Sequence, residues 1–297
     1  MSAARLAVLF VCMAALALPA SATHEPWTTQ RFPQDQDKWW WDADWWERGA
    51  MPVPANYGVR SRSETYRSGE VEVPVEIFTP AATGRFPIVV FLHGRRGLDE
   101  LTRLVPRRLA ARGFTVVAPD LHSGRFIPAM PVAYDVALED DAARGIDFAL
   151  ALPEARGQER ACVVSLSRGG YYALKAMVTQ KRQAKTACYV SYYPHWQHPE
   201  APEALQVYQY APEVDELQVP VLVFLGEHEQ YQRVRTILTG IESLQGRNRD
   251  ARVLVYPGVG RGFDFRAPQV RTLADDLATQ DSLLRAAAFM RKHLHAR

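Results

Sequence analysis

Ser167 lies in a short segment whose residue types suit nucleophilic catalysis. Residues 165–170 read Ser-Leu-Ser-Arg-Gly-Gly, after an apolar run at 161–164 and before a helix-like run at 171–177. A strand, a sharp turn with a central Ser and a helix form a nucleophile elbow, where small residues must flank the nucleophile. The flanking residues two positions away are a Ser and a Gly, so the segment is a variant of G-x-S-x-G. The competing interpretation is an ordinary loop rich in Ser and Gly.

The elements that must position this Ser alternate between strands and helices from residue 58 onward. Most of the predicted strands are continuous apolar runs, which indicates burial on both faces. Such strands, with helices between them, predict an α/β fold with a mostly parallel central sheet covered by helices on both faces. The predicted strands are 71–78, 86–92, 114–118, 161–164, 187–192, 219–226 and 252–256. The predicted helices are 101–112, 135–152, 231–244 and 280–295.

Residues 1–22 have the pattern of a secretory signal peptide. Arg5 supplies a positive charge, residues 6–18 are apolar, and Ala-Ser-Ala at 20–22 is a small-residue cleavage site. The apolar run is too short to span a bilayer as a mature helix. We expect cleavage after Ala22, a secreted or periplasmic protein, and no stable membrane span afterwards.

A Trp-rich extension, residues 23–57, separates this segment from the α/β domain at 58–297. Five Trp fall between residues 39 and 46, interleaved with acidic residues. An aromatic binding surface and an arm buried against the domain are the two interpretations, and the second avoids exposing a large apolar patch.

Composition excludes several classes of function. The chain carries 35 Lys and Arg against 33 Asp and Glu, without a basic block that would indicate nucleic-acid binding. Cys162 and Cys188 both lie in predicted buried strands. Export permits a disulfide between them, and buried free thiols are the alternative. Their number and spacing do not predict a metal site.

Functional groups collect at the carboxyl ends of strands in a parallel sheet. The strand ending at Leu92 is followed by His-Gly-Arg-Arg-Gly, residues 93–97. Gly94 and the backbone N–H groups of Arg95 and Arg168 are the predicted oxyanion hole. The strand ending at Gly226 is followed by Glu229, which is the predicted orienting carboxylate, with Glu227 as second choice.

An ordered set of segments resembles the dienelactone hydrolase family of the α/β-hydrolase superfamily, over about residues 62–295. The set comprises 91–98, 112–120, 165–170, 192–194, 221–229, 256–263 and the helix at 281–289. The resemblance implies a carboxylic ester hydrolase acting on a small-molecule ester or lactone, with Ser167 as nucleophile and Glu229 as acid. It implies no metal and no organic cofactor.

Arg261 departs from the family pattern. The family's base is a His within Tyr-Pro-Gly-x-x-His-Gly-Phe, and this sequence has Tyr-Pro-Gly-Val-Gly-Arg-Gly-Phe at 256–263. Arginine keeps its proton at any working pH and cannot be a general base. His195 and His228 follow neighbouring strand ends and are the candidate replacements. The other interpretation is a catalytically impaired protein that binds an anionic ligand or a partner.

Arginines are concentrated on the loops that should surround the site. Arg95, Arg96, Arg168 and Arg261 all fall there, and we expect Arg96 and Tyr193 to contact the substrate. Guanidinium groups suit carboxylate or phosphate groups of a ligand. Ion pairs that hold the loops in place are the competing interpretation.

Overall fold

The structure, a computed structural model, describes residues 56–295. The predicted signal peptide and nearly all of the Trp-rich extension lie outside the described residues. Every structural statement below concerns the described part of the chain.

Eight strands form one mixed sheet. Its order is β1-β2-β4-β3-β5-β6-β7-β8, with β1 and β2 antiparallel to their neighbours and all other pairs parallel. Every position of β3 to β7 is buried, as strands covered on both faces require. The architecture confirms the predicted α/β fold. The strands are β1 (Val59–Ser68), β2 (Val71–Pro80), β3 (Ile88–Leu92), β4 (Thr115–Pro119), β5 (Ala161–Leu166), β6 (Thr186–Tyr192), β7 (Val221–Gly226) and β8 (Ala251–Tyr256).

The described residues form six α-helices, of which α4 packs on α5 and the others on the sheet. Helix α1 contacts β2, β4 and α6, whereas α2 contacts β1, β3 and α3. None of the helices between residues 56 and 295 is long and apolar enough to cross a membrane. The helices are α1 (Leu104–Ala111), α2 (Ala137–Ala151), α3 (Gly169–Leu174), α4 (Glu203–Tyr208), α5 (Tyr231–Gly246) and α6 (Leu273–His295).

Helix α6 begins seven residues before the predicted start at residue 280. The reason is a reciprocal cap: the Asp275 N–H donates to Thr272 Oγ1 at 3.2 Å, and the Thr272 N–H donates to Asp275 Oδ2 at 2.9 Å. A Thr followed three residues later by an acid is a known helix-start signal. The apolar periodicity was too weak there to reveal it.

A disulfide joins Cys162 on β5 to Cys188 on β6. The two residues are register partners on neighbouring parallel strands, with their Cα atoms 4.7 Å apart. Both side chains are fully buried. The structure therefore pairs the two cysteines for which the sequence left both alternatives open.

Reduction of this disulfide is expected to lower the free energy of unfolding by about 2–4 kcal/mol. The bridge closes a segment with a sequence separation of 26 and restricts the unfolded chain accordingly. Urea unfolding with and without a thiol reductant measures the effect, and the Cys162→Ala/Cys188→Ala variant serves as a control that the reductant should leave unchanged. Equal unfolding midpoints for the wild type under both conditions would contradict the prediction.

Candidate active site

Ser167 occupies a sharp turn between β5 and α3. Its backbone lies in the left-handed region, with φ of 53°, which a residue other than Gly adopts only where its surroundings enforce it. The Ser167 N–H donates to the Tyr192 carbonyl at 3.1 Å, and the His195 N–H donates to the Ser167 carbonyl at 2.8 Å. The first bond reaches the last residue of β6 and the second comes from the loop after it. The turn is therefore fixed from the neighbouring strand end.

Two glycines allow the turn to approach the oxyanion loop. A Cβ on Gly169 would lie 2.3 Å from the Leu92 carbonyl oxygen, and a Cβ on Gly94 would lie 2.9 Å from Ser167 Cβ. Neither neighbour is the far end of a flexible side chain. The small residues in the sequence pattern are thus required by contact between β3 and the elbow.

Gly169→Ala is expected to destabilise the fold by about 1–3 kcal/mol or more, because the new methyl group overlaps backbone atoms that cannot move independently. Gly246→Ala is the matched control, since a Cβ at that position meets no atom within 4 Å and its φ is negative. Thermal or urea unfolding of both variants measures the difference. Equal stability of the two variants would show that the contact at Gly169 is not restrictive.

Ser165 stands where the usual pattern has its first Gly. Its hydroxyl is fully buried and shares hydrogen bonds with Ser191 Oγ at 2.7 Å and with the Tyr189 hydroxyl at 3.0 Å. Tyr189 in turn donates to the Gly170 carbonyl at 3.3 Å. The replacement of Gly by Ser is therefore tolerated because β6 supplies partners for the hydroxyl, and the resulting network links the two ends of the elbow.

Two backbone N–H groups are available beside Ser167. Among the described residues, neither the Arg95 N–H nor the Arg168 N–H has a hydrogen-bond acceptor. The loop that carries Arg95 is held by His93, whose Nδ1–H donates to the Gly94 carbonyl while its Nε2 accepts from the Leu121 N–H. Burial lowers the pKa of His93, which agrees with this neutral form. The arrangement suits the predicted oxyanion hole.

Arg261 bridges Ser167 and Glu229. Its Nη2 donates to Ser167 Oγ at 2.7 Å, and its Nη1 donates to Glu229 Oε2 at 2.8 Å. The Glu229 side chain is fully buried, whereas 28% of the Arg261 side chain is exposed. In the part of the chain that the structure describes, no imidazole contacts Ser167 Oγ. A guanidinium therefore occupies the place between nucleophile and acid.

Tyr193 packs against this guanidinium, and Asp264 holds Tyr193 in place. The Arg261 guanidinium carbon lies 5.1 Å from the centre of the Tyr193 ring, and the Tyr193 hydroxyl donates to Asp264 Oδ1. Burial raises the pKa of Asp264 to about 6, although its bond from Tyr193 opposes the shift. Tyr193 itself has φ of 37°, so the loop after β6, like the turn at Ser167, carries backbone strain. The predicted substrate contact at Tyr193 is thus also a support for Arg261.

The two candidate replacement bases differ in position. His195 is buried, lines the cavity beside Ser167, and leaves Nε2 without a hydrogen-bond partner among the described residues. Burial and the nearby Arg233 and Arg261 hold the pKa of His195 well below its usual value. The side chain of His228 is exposed and lies outside the cavity lining. The structure brings only His195 to the site.

A cavity of about 740 Å³ opens above Ser167. Among residues 56–295, six arginines and no Asp or Glu line it. Two of the six, Arg233 and Arg266, were not predicted from the sequence. Arg233 lies in the first turn of α5, only four residues after Glu229, and this closeness to the end of β7 was the signal that could have indicated it. The six are Arg95, Arg96, Arg168, Arg233, Arg261 and Arg266.

Comparison with known proteins identifies the family. The profile of the dienelactone hydrolase family matches residues 73–294. The chain belongs to this family. No curated protein matches it by sequence.

Solved structures share the fold at low identity. A putative dienelactone hydrolase from Klebsiella pneumoniae is 19% identical, with a TM-score of 0.62 over 79% of this chain and 99% of that one. A dienelactone hydrolase-like promiscuous phosphotriesterase from metagenomic libraries is 19% identical, with a TM-score of 0.60 over 79% and 98%. Brefeldin A esterase, a bacterial homologue of human hormone sensitive lipase, is 17% identical, with a TM-score of 0.64 over 83% and 81%.

Membership of the dienelactone hydrolase family supports a carboxylic ester hydrolase and a small-molecule substrate. No group of three or more His, Cys, Asp and Glu in residues 56–295 is arranged to hold a metal ion. The functional groups of the site are a Ser with a strained backbone, two backbone N–H groups, a guanidinium paired with a buried carboxylate, and further arginines around the cavity.

Proposed function

We propose that this dienelactone hydrolase family member is a serine hydrolase that cleaves an ester or lactone by acyl transfer, with Arg261 at the position of the usual catalytic His. The observation that carries the proposal is the contact of one guanidinium with both Ser167 Oγ and Glu229. The free N–H groups of Arg95 and Arg168 beside Ser167 add a second support. Positive charge next to a hydroxyl favours its alkoxide form.

In this mechanism Ser167 Oγ bonds to the carbonyl carbon, and the carbonyl oxygen becomes an oxyanion held by the N–H groups of Arg95 and Arg168. Arg261 stabilises the attacking oxygen electrostatically and keeps its own protons. The hydroxyl proton passes to solvent. Collapse of the intermediate breaks the ester bond, the alkoxide leaving group takes a proton from water, and a second water hydrolyses the acyl-enzyme. Glu229 holds Arg261 in place throughout.

Activity without an imidazole base should depend on hydroxide. We expect kcat/KM for 4-nitrophenyl acetate to rise continuously between about pH 6 and 9, without the plateau that a base of pKa near 7 produces. His195 adds no inflection in this range because its pKa lies well below the usual value. Ser167→Ala should reduce the rate to the background of the buffer. A plateau near pH 7 that disappears in His195→Ala would show that His195 has become the base.

A second candidate is a catalytically impaired protein that binds an anionic ligand. The arginine-lined cavity and the absence of an imidazole on Ser167 Oγ among the described residues favour it. The two candidates differ in one measurement, since only the hydrolase loses turnover of a neutral ester when Ser167 is replaced by Ala.

We also propose that the protein is exported and begins at Thr23 in its mature form. The pattern of residues 1–22 supports this, and the buried disulfide between Cys162 and Cys188 suits an oxidising compartment. N-terminal sequencing of protein recovered outside the cytoplasm tests the proposal, and an intact Met1 end would contradict it.

A further inference from the structure

Three of the cavity arginines have no carboxylate of a described residue within ion-pair distance. The Arg95 guanidinium makes no hydrogen bond or ion pair with any described residue. Arg168 donates to loop carbonyl oxygens, at 3.1 Å to Pro131 and 3.2 Å to Ala133, and leaves its buried Nε without a partner. Arg233 donates from Nε to Gln230 and leaves its buried Nη1 without a partner. All three cavity-lining side chains therefore keep donors without a partner among the described residues.

Among the described residues, no carboxylate forms an ion pair with these three side chains, although the charge of Glu229 acts on Arg233 from a distance. Burial and the nearby Arg261 lower the pKa of Arg233 to about 10, so the group still carries its proton at neutral pH. Keeping three guanidinium groups close together in a partly buried site is unfavourable unless an anion accompanies them. The other cavity arginines have their own acids, because Arg96, Arg261 and Arg266 pair with Asp99, Glu229 and Asp275 respectively.

His195 lies among the same guanidinium groups. His195 is only 6% exposed, its Nε2 has no partner among the described residues, and the charges of Arg233, Arg261, Arg168 and Arg95 all disfavour its protonation. A neutral imidazole donates from one ring nitrogen, and in the tautomer with the proton on Nε2 this nitrogen is free to donate to a ligand. Several cations around such a group indicate a place for oxygen atoms of a ligand.

We propose that Arg95, Arg168, Arg233 and His195 form a subsite for a tetrahedral dianionic group, such as a phosphate monoester, on the substrate or ligand that reaches Ser167. This assignment rests on the proposed function and names the ligand class. Three unpaired guanidinium groups and one imidazole match the charge and the three free oxygens of such a group better than the two oxygens of one carboxylate. Arg261 is left out of the subsite because its guanidinium charge is already paired with Glu229 and its Nη2 donates to Ser167 Oγ.

Calorimetric titration of the full chain with inorganic phosphate tests the subsite. We expect Arg233→Gln to weaken phosphate binding at least about ten-fold, as the loss of a charge-assisted hydrogen bond would. Arg235→Gln is the matched control, because Arg235 lies on the same helix and its substitution changes the net charge equally. Arg235 is exposed, its guanidinium lies over the Tyr208 ring, and it does not line the cavity. Sulfate should bind like phosphate, and acetate at equal ionic strength at least about ten-fold more weakly.

Three outcomes would overturn the inference. The first is that the wild type does not bind phosphate. The second is that Arg233→Gln and Arg235→Gln lose phosphate affinity equally while their melting temperatures stay unchanged. The third is that malonate binds more tightly than phosphate. Calorimetry measures binding without turnover, so it tests the subsite independently of the proposed hydrolase activity. Phosphate binding without hydrolysis of neutral esters would contradict only the hydrolase, and hydrolysis without phosphate binding would contradict only the subsite.

Discussion

Arg261→His is expected to raise kcat/KM for 4-nitrophenyl acetate by on the order of 10²-fold or more near pH 8. The substitution places an imidazole between Ser167 and Glu229, where Arg261 now contacts both. An imidazole accepts the Ser167 proton, which a guanidinium cannot do, and Glu229 is placed to orient it. The variant should also gain a plateau in its pH–rate profile above about pH 7, where the imidazole is neutral.

Arg261→Gln separates the gain of a base from the loss of a positive charge. It removes the guanidinium charge but supplies no proton acceptor, so its rate should fall below that of the wild type. A gain of similar size in both variants would show that Arg261 merely obstructs Ser167. An already fast wild type that Arg261→His leaves unchanged would show that the base lies elsewhere.

Arg261→Leu is expected to lower the free energy of unfolding by about 1–3 kcal/mol at pH 8. Removing one partner of a buried ion pair leaves the other charge uncompensated, which costs about 3–5 kcal/mol in a fully buried pair. The Glu229 side chain is fully buried, but the Arg261 side chain is 28% exposed, so water reaching the vacated space reduces the cost. Urea unfolding measures the difference.

A second substitution identifies the cause of this deficit. Adding Glu229→Gln to Arg261→Leu removes the unpaired buried charge and should recover part of the lost stability at pH 8. No recovery in the double variant would indicate lost packing rather than an unpaired charge.

The sequence predicted the fold well because continuous apolar strands leave few alternatives. The runs that became β3, β5, β6 and β7 are buried throughout, and their boundaries moved by two residues or fewer. The weakly amphipathic start of α6 was missed because a cap, not periodicity, sets it. Segments at strand ends were located correctly, since a parallel sheet gathers them at one edge.

The sequence could not rank the side chains within those segments. His195 and His228 both follow strand ends, but only His195 turns toward the cavity, which depends on the local path of each loop. Arg233 was missed because an arginine in a predicted helix is expected to lie on the surface. Its place in the site becomes evident only when the structure shows that the start of α5 faces the cavity. The support of Arg261 by Tyr193 and Asp264 joins residues from different loops, so no local pattern indicates it.

Reaction with a fluorophosphonate probe, followed by peptide mass spectrometry, tests most directly whether Ser167 is an activated nucleophile. In this reaction Ser167 Oγ bonds to phosphorus and fluoride leaves. Our account predicts one covalent adduct, located on Ser167, absent from Ser167→Ala, and formed faster in Arg261→His than in the wild type. The absence of an adduct in the wild type, or an adduct elsewhere that Ser167→Ala leaves unchanged, would contradict it.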